Sequence, residues 1–115
     1  MKKIFLISLM IFSCNNEIKI DKPKDLIDQE MMSKILYDIT IMNSIKGSGF
    51  LMKGVDSIFS REYIYTKYGI DSTIFINSQI YYSKTPKKMM SIYLRVDQRL
   101  ERSKDSIEEL MQKDD

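Results

Sequence analysis

The chain has no histidine, no tryptophan and a single cysteine, Cys14. Histidine is the commonest metal ligand and the side chain that most often serves as a neutral general base. One cysteine can form neither a disulfide within the chain nor a metal site built from several thiolates. These absences exclude the usual nucleophile–base pairs and zinc sites. We therefore expect no cofactor and no metal, and we favour a protein that is not an enzyme, although carboxylates and tyrosines remain as reactive groups.

Long apolar runs are also scarce, and the main one, Ile4–Phe12, lies near the start. As a helix it would span about 14 Å, too short for a bilayer core that needs about 20 apolar residues. The basic start Met1-Lys2-Lys3 precedes it, and Ser13-Cys14 follows it directly. This order is typical of a bacterial lipoprotein signal peptide. We predict cleavage after residues 1–13 and a membrane anchor of palmitate-type acyl chains on Cys14; the alternative is a plain cleaved signal.

The charge of the predicted mature chain is balanced. The sequence holds 18 basic and 16 acidic side chains, and loss of Lys2 and Lys3 with the signal leaves 16 of each. A net side-chain charge of zero argues against nucleic acid as a partner and against a polybasic membrane contact. Gly49 and Gly54 have the spacing of a phosphate-binding loop, but Val55 and Asp56 stand where lysine and a hydroxyl are required. We therefore expect no nucleotide.

Three regions follow from the composition. Residues 1–13 form the signal peptide, residues 14–23 form the lipidated N-terminus and a tether, and residues 24–115 form a helical domain. The first helix is predicted over Asp25–Lys46, and its apolar positions cover more than half its circumference, which indicates a central, covered helix. A glycine-rich loop over 47–54 follows, and a second helix starts at Val55 or Asp56.

The second half of the domain contains clear helix boundaries. Gly69 fits the left-handed position after a helix, and Asp71 or Ser72 caps a third helix. Thr85-Pro86 begins a fourth helix. No segment shows the sustained alternation of apolar and polar residues that indicates a β-strand. The predicted class is therefore all-α, a small bundle of about four helices. The apolar stripe of the fourth helix is predicted to comprise Met89, Tyr93, Val96, Leu100, Ile107 and Met111.

Asp38 is a candidate functional residue because it falls within the apolar stripe of the first helix. A buried carboxylate must find hydrogen bonds or a cation, or else hold a proton. One interpretation is a catalytic or ligand-binding acid. The other, which we favour, is a structural acid held by a tyrosine hydroxyl, an arginine or a helix N-terminus.

Tyrosines are the second candidate feature. Their amphipathic rings are enriched at interfaces, but they also fill small helical cores. If several of them share one groove, that groove is the predicted site for a peptide or protein partner. The candidates are Tyr63, Tyr68, Tyr81, Tyr82 and Tyr93.

The order of several elements resembles the family called domain of unknown function 4296, short lipoproteins of Bacteroidota. These elements are Lys22-Pro23, Ile35-Leu36-Tyr37-Asp38, Tyr68-Gly69-Ile70, Phe75, Ser78, Tyr81-Tyr82, Pro86, Ile92-Tyr93, Val96 and Leu100. The resemblance implies a Gram-negative outer membrane and brings no known activity. Thr40 and Met42-Asn43-Ser44 stand where the family often shows histidine and Ala-Glu-Ala. Residues 15–19 lack the acidic cluster that resembles a surface-export signal, which favours the periplasmic face.

Two functions from different classes follow. The first is a lipid-anchored periplasmic module that serves as an accessory or adaptor subunit of an outer-membrane assembly, or that binds exported polypeptides. The alternative is a carboxylate-dependent envelope hydrolase acting on glycan or peptidoglycan. That reaction needs two acids about 5 to 9.5 Å apart, and Asp38 has no second acid predicted beside it.

Overall fold

The computed structural model describes residues 19–48 and 60–113. Within these ranges the chain forms four helices and no strand, which confirms the all-α class. The helices are α1 (Gln29–Gly47), α2 (Arg61–Tyr68), α3 (Ser72–Ser83) and α4 (Pro86–Lys113).

Helix α1 begins four residues later than predicted. Asp28 is its N-cap, and the Asp28 carboxylate accepts a hydrogen bond of 2.9 Å from the Met31 amide. Ile27, which the helical pattern included in the first helix, lies just before the cap, although its side chain is buried in the core. The apolar pattern extends past the true boundary because an extended segment also buries apolar side chains.

Helix α2 is short in the structure. It begins at Arg61, and the Ser60 hydroxyl caps it by accepting from the Tyr63 amide. The predicted start at Val55 or Asp56 lies outside the described residues. The predicted loop over 47–54 does too, except for Gly47, which is the last residue of α1, and Ser48, which caps that helix.

The turns between the later helices agree with the sequence. Gly69 has φ 62° and ψ 36°, the left-handed conformation predicted for it, and the Ile70 amide donates to the Tyr65 carbonyl at 3.0 Å. Asp71 caps α3 through a 2.8 Å hydrogen bond from the Ile74 amide. Helix α4 begins at Pro86, where a missing N–H costs nothing.

Helix α1 is central, as predicted, and packs against α4 and α2. Met32 and Ile35 of α1 and Ile92 of α4 are fully buried in the core, and Ile64 of α2 nearly so. Each such side chain contributes roughly 1.5 to 3 kcal/mol by leaving water. Helices α1 and α4 run in the same direction, because Glu30 near the start of α1 meets Arg95 while Tyr37 further along meets Ser103.

The apolar stripe predicted for α4 is wrong in part. The buried face of α4 includes Ile92, which was not predicted and is fully buried, whereas the predicted Tyr93 is 52% exposed. Ile107 and Met111 are also exposed, as is every residue from 104 to 113. The physical reason is length: α4 extends past the Tyr37–Ser103 contact, so a stripe that continues in sequence meets no packing partner among the described residues. In the same residues, no helix is both long and apolar enough to span a bilayer.

Candidate functional site

A groove between α1, α2 and α3 is the first candidate site, and we call it the α1–α3 groove. It encloses about 370 Å³. Three side chains of its floor, Met42, Ile64 and Phe75, are buried in the core. Its full lining comprises Leu36, Ile39, Met42, Asn43, Lys46, Arg61, Ile64, Tyr65, Phe75, Ile76 and Gln79.

The rim of this groove is polar and cationic. Asn43, Lys46 and Arg61 are exposed, and no acidic side chain lines the groove among the residues described. Ile76 is 49% exposed at the same rim. An apolar floor with a few polar groups above it is the usual form of a site that takes an apolar anchor side chain. The two cations favour a carboxylate beside that anchor.

Asp38 lies between α1 and α2, where its carboxylate is 19% exposed. One oxygen, Oδ2, accepts from Lys67 Nζ and from the Tyr68 hydroxyl, each at 2.7 Å. The predicted tyrosine partner is therefore present, and the cation is a lysine rather than an arginine. In the described part of the chain the hydrogen-bond partners of this carboxylate are these two donors.

The pKa shifts around Asp38 favour a structural role. The hydrogen bond to Asp38 raises the pKa of Lys67, because proton loss would leave the carboxylate without its cation. Burial of the phenol, followed by the Asp38 hydrogen bond, raises the pKa of Tyr68 to about 12. Both donors stay protonated at neutral pH, where a general acid or base would need a pKa near 7. The cluster is suited to joining α1 and α2.

The predicted tyrosines are distributed over separate places. Tyr68 contacts Asp38, and Tyr81 and Tyr82 pack edge to face with ring centroids 5.4 Å apart. Tyr63 and Tyr93 are about half exposed. Within the described residues these five rings do not line one cavity. The tyrosine in the α1–α3 groove is Tyr65, whose ring lies 6.0 Å from that of Phe75.

Tyr65 was not among the five tyrosines predicted from the sequence to line a groove. The available signal was its spacing, since it follows Arg61 by four residues and therefore shares a face of α2 with it. That face could be assigned to the groove only once α2 was placed against α1 and α3.

A second arrangement holds the segment before α1, and we call it the Ile27 clasp. The Ser78 hydroxyl accepts from the Ile27 amide at 3.1 Å, and the Tyr82 hydroxyl donates to the Ile27 carbonyl at 2.6 Å. Ser78 is fully buried and Tyr82 nearly so. The two residues are four apart on α3, so they share one face. Their sequence signal was a serine and a tyrosine at helical spacing on an apolar face.

Two basic residues of α4, Arg95 and Arg99, reach α1, where both bind the Glu30 carboxylate. The hydrogen bond from Arg95 lowers the pKa of Glu30. Because all three side chains are exposed or partly so, this contact orients α1 on α4 more than it stabilises the bundle.

In the part of the chain that the structure describes, these features define a small all-α domain of four helices with a docked N-terminal segment. The chain belongs to the family described as Domain of unknown function (DUF4296), whose profile matches residues 23–106. The match covers the Ile27 clasp and the Asp38 cluster and confirms the predicted membership. No curated protein and no solved structure matches the chain significantly. Cys14, the predicted acylation site, lies outside both the matched and the described residues.

Proposed function

We propose that this protein is a lipid-anchored helical module of the outer membrane that faces the periplasm and holds a partner polypeptide in the α1–α3 groove. It would act as an accessory or adaptor subunit, or as a binder of exported chains. The observation that carries the proposal is the groove, with its apolar floor and its cationic rim.

The sequence supports the anchor. Cys14 follows a basic start, a short apolar run and a small residue, as in lipoprotein signals. A lipoprotein carries several acyl chains, and two chains already suffice for stable anchoring. The domain then begins within a short distance along the chain, because Ile27 is held against α3 by Ser78 and Tyr82.

The groove supports the partner class. An extended polypeptide with one large apolar side chain fits a space of about 370 Å³ whose floor is Met42, Ile64 and Phe75. An aspartate or glutamate next to that side chain would pair with Lys46 or Arg61 at the rim. The expected partner is therefore an acidic, apolar segment rather than a basic one.

The anchor is tested in the native bacterium. The native chain and Cys14→Ser are compared by metabolic palmitate labelling and by fractionation of membrane and soluble material. We expect the native chain to carry label and to sediment with membranes, and Cys14→Ser to lose both properties. An unlabelled native chain recovered in the cytoplasm would overturn the anchored function.

The groove is tested by photo-crosslinking in intact cells. A photoreactive amino acid replaces Ile76 at the groove rim and, as a matched control, Ile107 on α4, which is also exposed. We expect a discrete adduct from position 76 and none from position 107. In that background Arg61→Glu should remove the adduct, because it would repel an acidic partner, while Lys104→Glu should leave it unchanged. An adduct of equal yield at both positions, or one insensitive to Arg61→Glu, would contradict the proposed site.

A further inference from the structure

One end of the bundle collects lysines, and we call it the lysine end. It is the end where α1 and α4 begin and α3 finishes. Four acids share it: Asp21, Asp25, Asp28 and Glu30. The exposed lysines at this end are Lys19, Lys22, Lys24, Lys84, Lys87 and Lys88.

Two shallow cavities that share Tyr81 bring four of these lysines, with Asp21 and Asp28, onto one surface. A cavity of about 360 Å³ brings Lys19 of the N-terminal segment beside Tyr81 and Lys84 of the α3–α4 turn. A second cavity, of about 220 Å³, brings Lys22 beside Tyr81 and Lys88. Lys88 is further held by a 2.7 Å hydrogen bond to the Tyr81 hydroxyl. Charges that are distant along the chain are therefore adjacent in space.

Helix α4 is also more basic in its first half, which is the half nearer the lysine end, than in its second half. Between Pro86 and Arg99 it carries four cations and one acid, whereas between Glu101 and Lys113 it carries four acids and three cations. The mature chain has no net charge, which argued against a polybasic membrane contact. That argument fails for one end of the molecule, because the fold gathers cations there.

The proposed anchor leaves the bundle at this same end. The Ile27 clasp fixes the N-terminal segment on α3, and Lys19 lies at the lysine end. Four residues separate Lys19 from Cys14, so the two are five residue steps apart and at most about 18 Å from each other at full extension. If Cys14 is acylated, the lysine end therefore lies within that distance of the lipid head groups. Electrostatic attraction acts over about 8 to 10 Å at physiological salt, so a partly extended tether brings the lysines into range.

We propose that the lysine end docks on anionic phosphate head groups of the anchoring bilayer, so that the domain stands on the membrane in one orientation. This inference rests on the proposed acylation of Cys14. Lys46 and Arg61 at the groove rim lie toward the opposite end of α1 from the lysine end. Docking in this way would present the α1–α3 groove to the periplasm and leave it open to a partner.

Energy transfer to a labelled bilayer measures this orientation. Because Cys14 is the single cysteine and acylation blocks it, a cysteine introduced elsewhere takes a fluorophore selectively. Ser83→Cys marks the lysine end, and Ser106→Cys marks α4 about 30 Å further along. The acylated full chain is placed in vesicles of phosphatidylcholine with about one third phosphatidylglycerol, which carry an acceptor on the head groups. We expect clearly stronger transfer from position 83, and a smaller difference in pure phosphatidylcholine.

Two charge variants of equal net change provide the decisive comparison. Lys22→Gln/Lys84→Gln/Lys87→Gln removes three cations from the lysine end, and Arg102→Gln/Lys104→Gln/Lys113→Gln removes three from the far half of α4, outside the α1–α3 groove. Each lysine near an anionic surface is worth roughly fivefold in affinity, so the first variant should weaken docking about a hundredfold. Its two labels should then report similar transfer in both lipids, while the second variant behaves like the native chain.

Each outcome has one meaning. Equal transfer from both labels in the native chain, or identical behaviour of the two charge variants, overturns the docking although the chain is acylated. A native chain whose N-terminal peptide has the mass of free cysteine overturns the anchored function and the docking together. The mass and the energy transfer are separate measurements, so the two failures are distinguishable.

Discussion

Tyr82 holds Ile27 by a hydrogen bond of 2.6 Å from its hydroxyl to the Ile27 carbonyl. One turn earlier on α3, Ser78 accepts from the amide of the same residue. Both backbone polar groups of a buried residue are thereby satisfied without helix or strand, as buried backbone requires. The segment before α1 is therefore part of the folded domain, and a short tether connects it to Cys14.

The first prediction concerns this clasp. Ser78→Ala and Tyr82→Phe should each lower the free energy of unfolding by about 1 to 3 kcal/mol, because each leaves a buried backbone group of Ile27 without its partner. Ser83→Ala is the control, since Ser83 is exposed on the same helix, and it should change stability by less than about 0.5 kcal/mol. Urea unfolding followed by far-UV circular dichroism measures all three.

The clasp also predicts local release of the N-terminal segment. In the Tyr82→Phe variant, trypsin should cleave faster after Lys19 and Lys24 than in the native chain, with no change in cleavage on α4; Lys22 is not a site, because Pro23 follows it. An unchanged cleavage rate in a destabilised variant would show that the clasp stabilises the bundle without fixing the segment.

The second prediction concerns Asp38. Asp38→Leu should cost roughly 1 to 2 kcal/mol, because the half-buried Tyr68 hydroxyl loses its acceptor and Lys67 its counter-ion. Asp38→Asn keeps an acceptor for Tyr68 and should cost less. Urea unfolding gives the stabilities, and the crosslink from position 76 reports partner binding, which both variants should retain. Loss of the crosslink in a stable Asp38→Asn variant would instead indicate a ligand-binding acid.

The third prediction concerns alkaline pH. The pKa of Tyr68 is about 12 in the folded protein, above its ordinary value of 10.0. The folded state therefore binds the phenol proton more tightly than the unfolded state does. This contribution to stability is complete below pH 10 and is lost as the pH rises from 10 to 12. Lys67, whose pKa is also raised, adds a loss in the same direction.

Urea unfolding at several pH values between 9 and about 12 measures this loss. Tyr68→Phe should give a shallower decline of the unfolding free energy than the native chain. Tyr63→Phe, which removes the hydroxyl of an exposed tyrosine, is the matched control and should decline as the native chain does. Parallel curves for the native chain and Tyr68→Phe would show that Tyr68 does not titrate in this window.

The fourth prediction compares two glycines. A Cβ at Gly69 or at Gly47 would meet no atom within 4 Å, so neither substitution causes a clash. Gly69 has φ 62°, however, and Gly69→Ala should cost about 1 to 2 kcal/mol because a side chain disfavours this conformation. Gly47 ends α1 without a positive φ, so Gly47→Ala should be neutral or stabilising by up to about 1 kcal/mol. Thermal unfolding of the two variants under identical conditions checks the difference, and equal melting temperatures would contradict it.

The sequence predicted the local features well because their causes are local. A glycine after a helix, an aspartate before one and a proline at a first turn act within a few residues, and Gly69, Asp71 and Pro86 stand where they were expected. The sequence was less accurate for α1 and α4. The spacing of apolar residues indicates which side chains can be buried. It does not indicate where a helix begins or where the neighbouring helix that would cover it ends. Ile27 is buried without being helical, and Ile107 is periodic without being buried.

The amino-acid sequence by itself determined the helical class, most helix boundaries, the family and the predicted acylation site, because each depends on residues close together in the chain. Only the tertiary structure decided which residues share a site. The packing of one helix on another brings Asp38 to Tyr68 and Ile27 to Tyr82 at hydrogen-bond distance, and it places Lys19 and Lys84 around one cavity. A balanced charge sum was fixed by composition, whereas the concentration of lysines at one end required α1, α3 and α4 to be placed side by side.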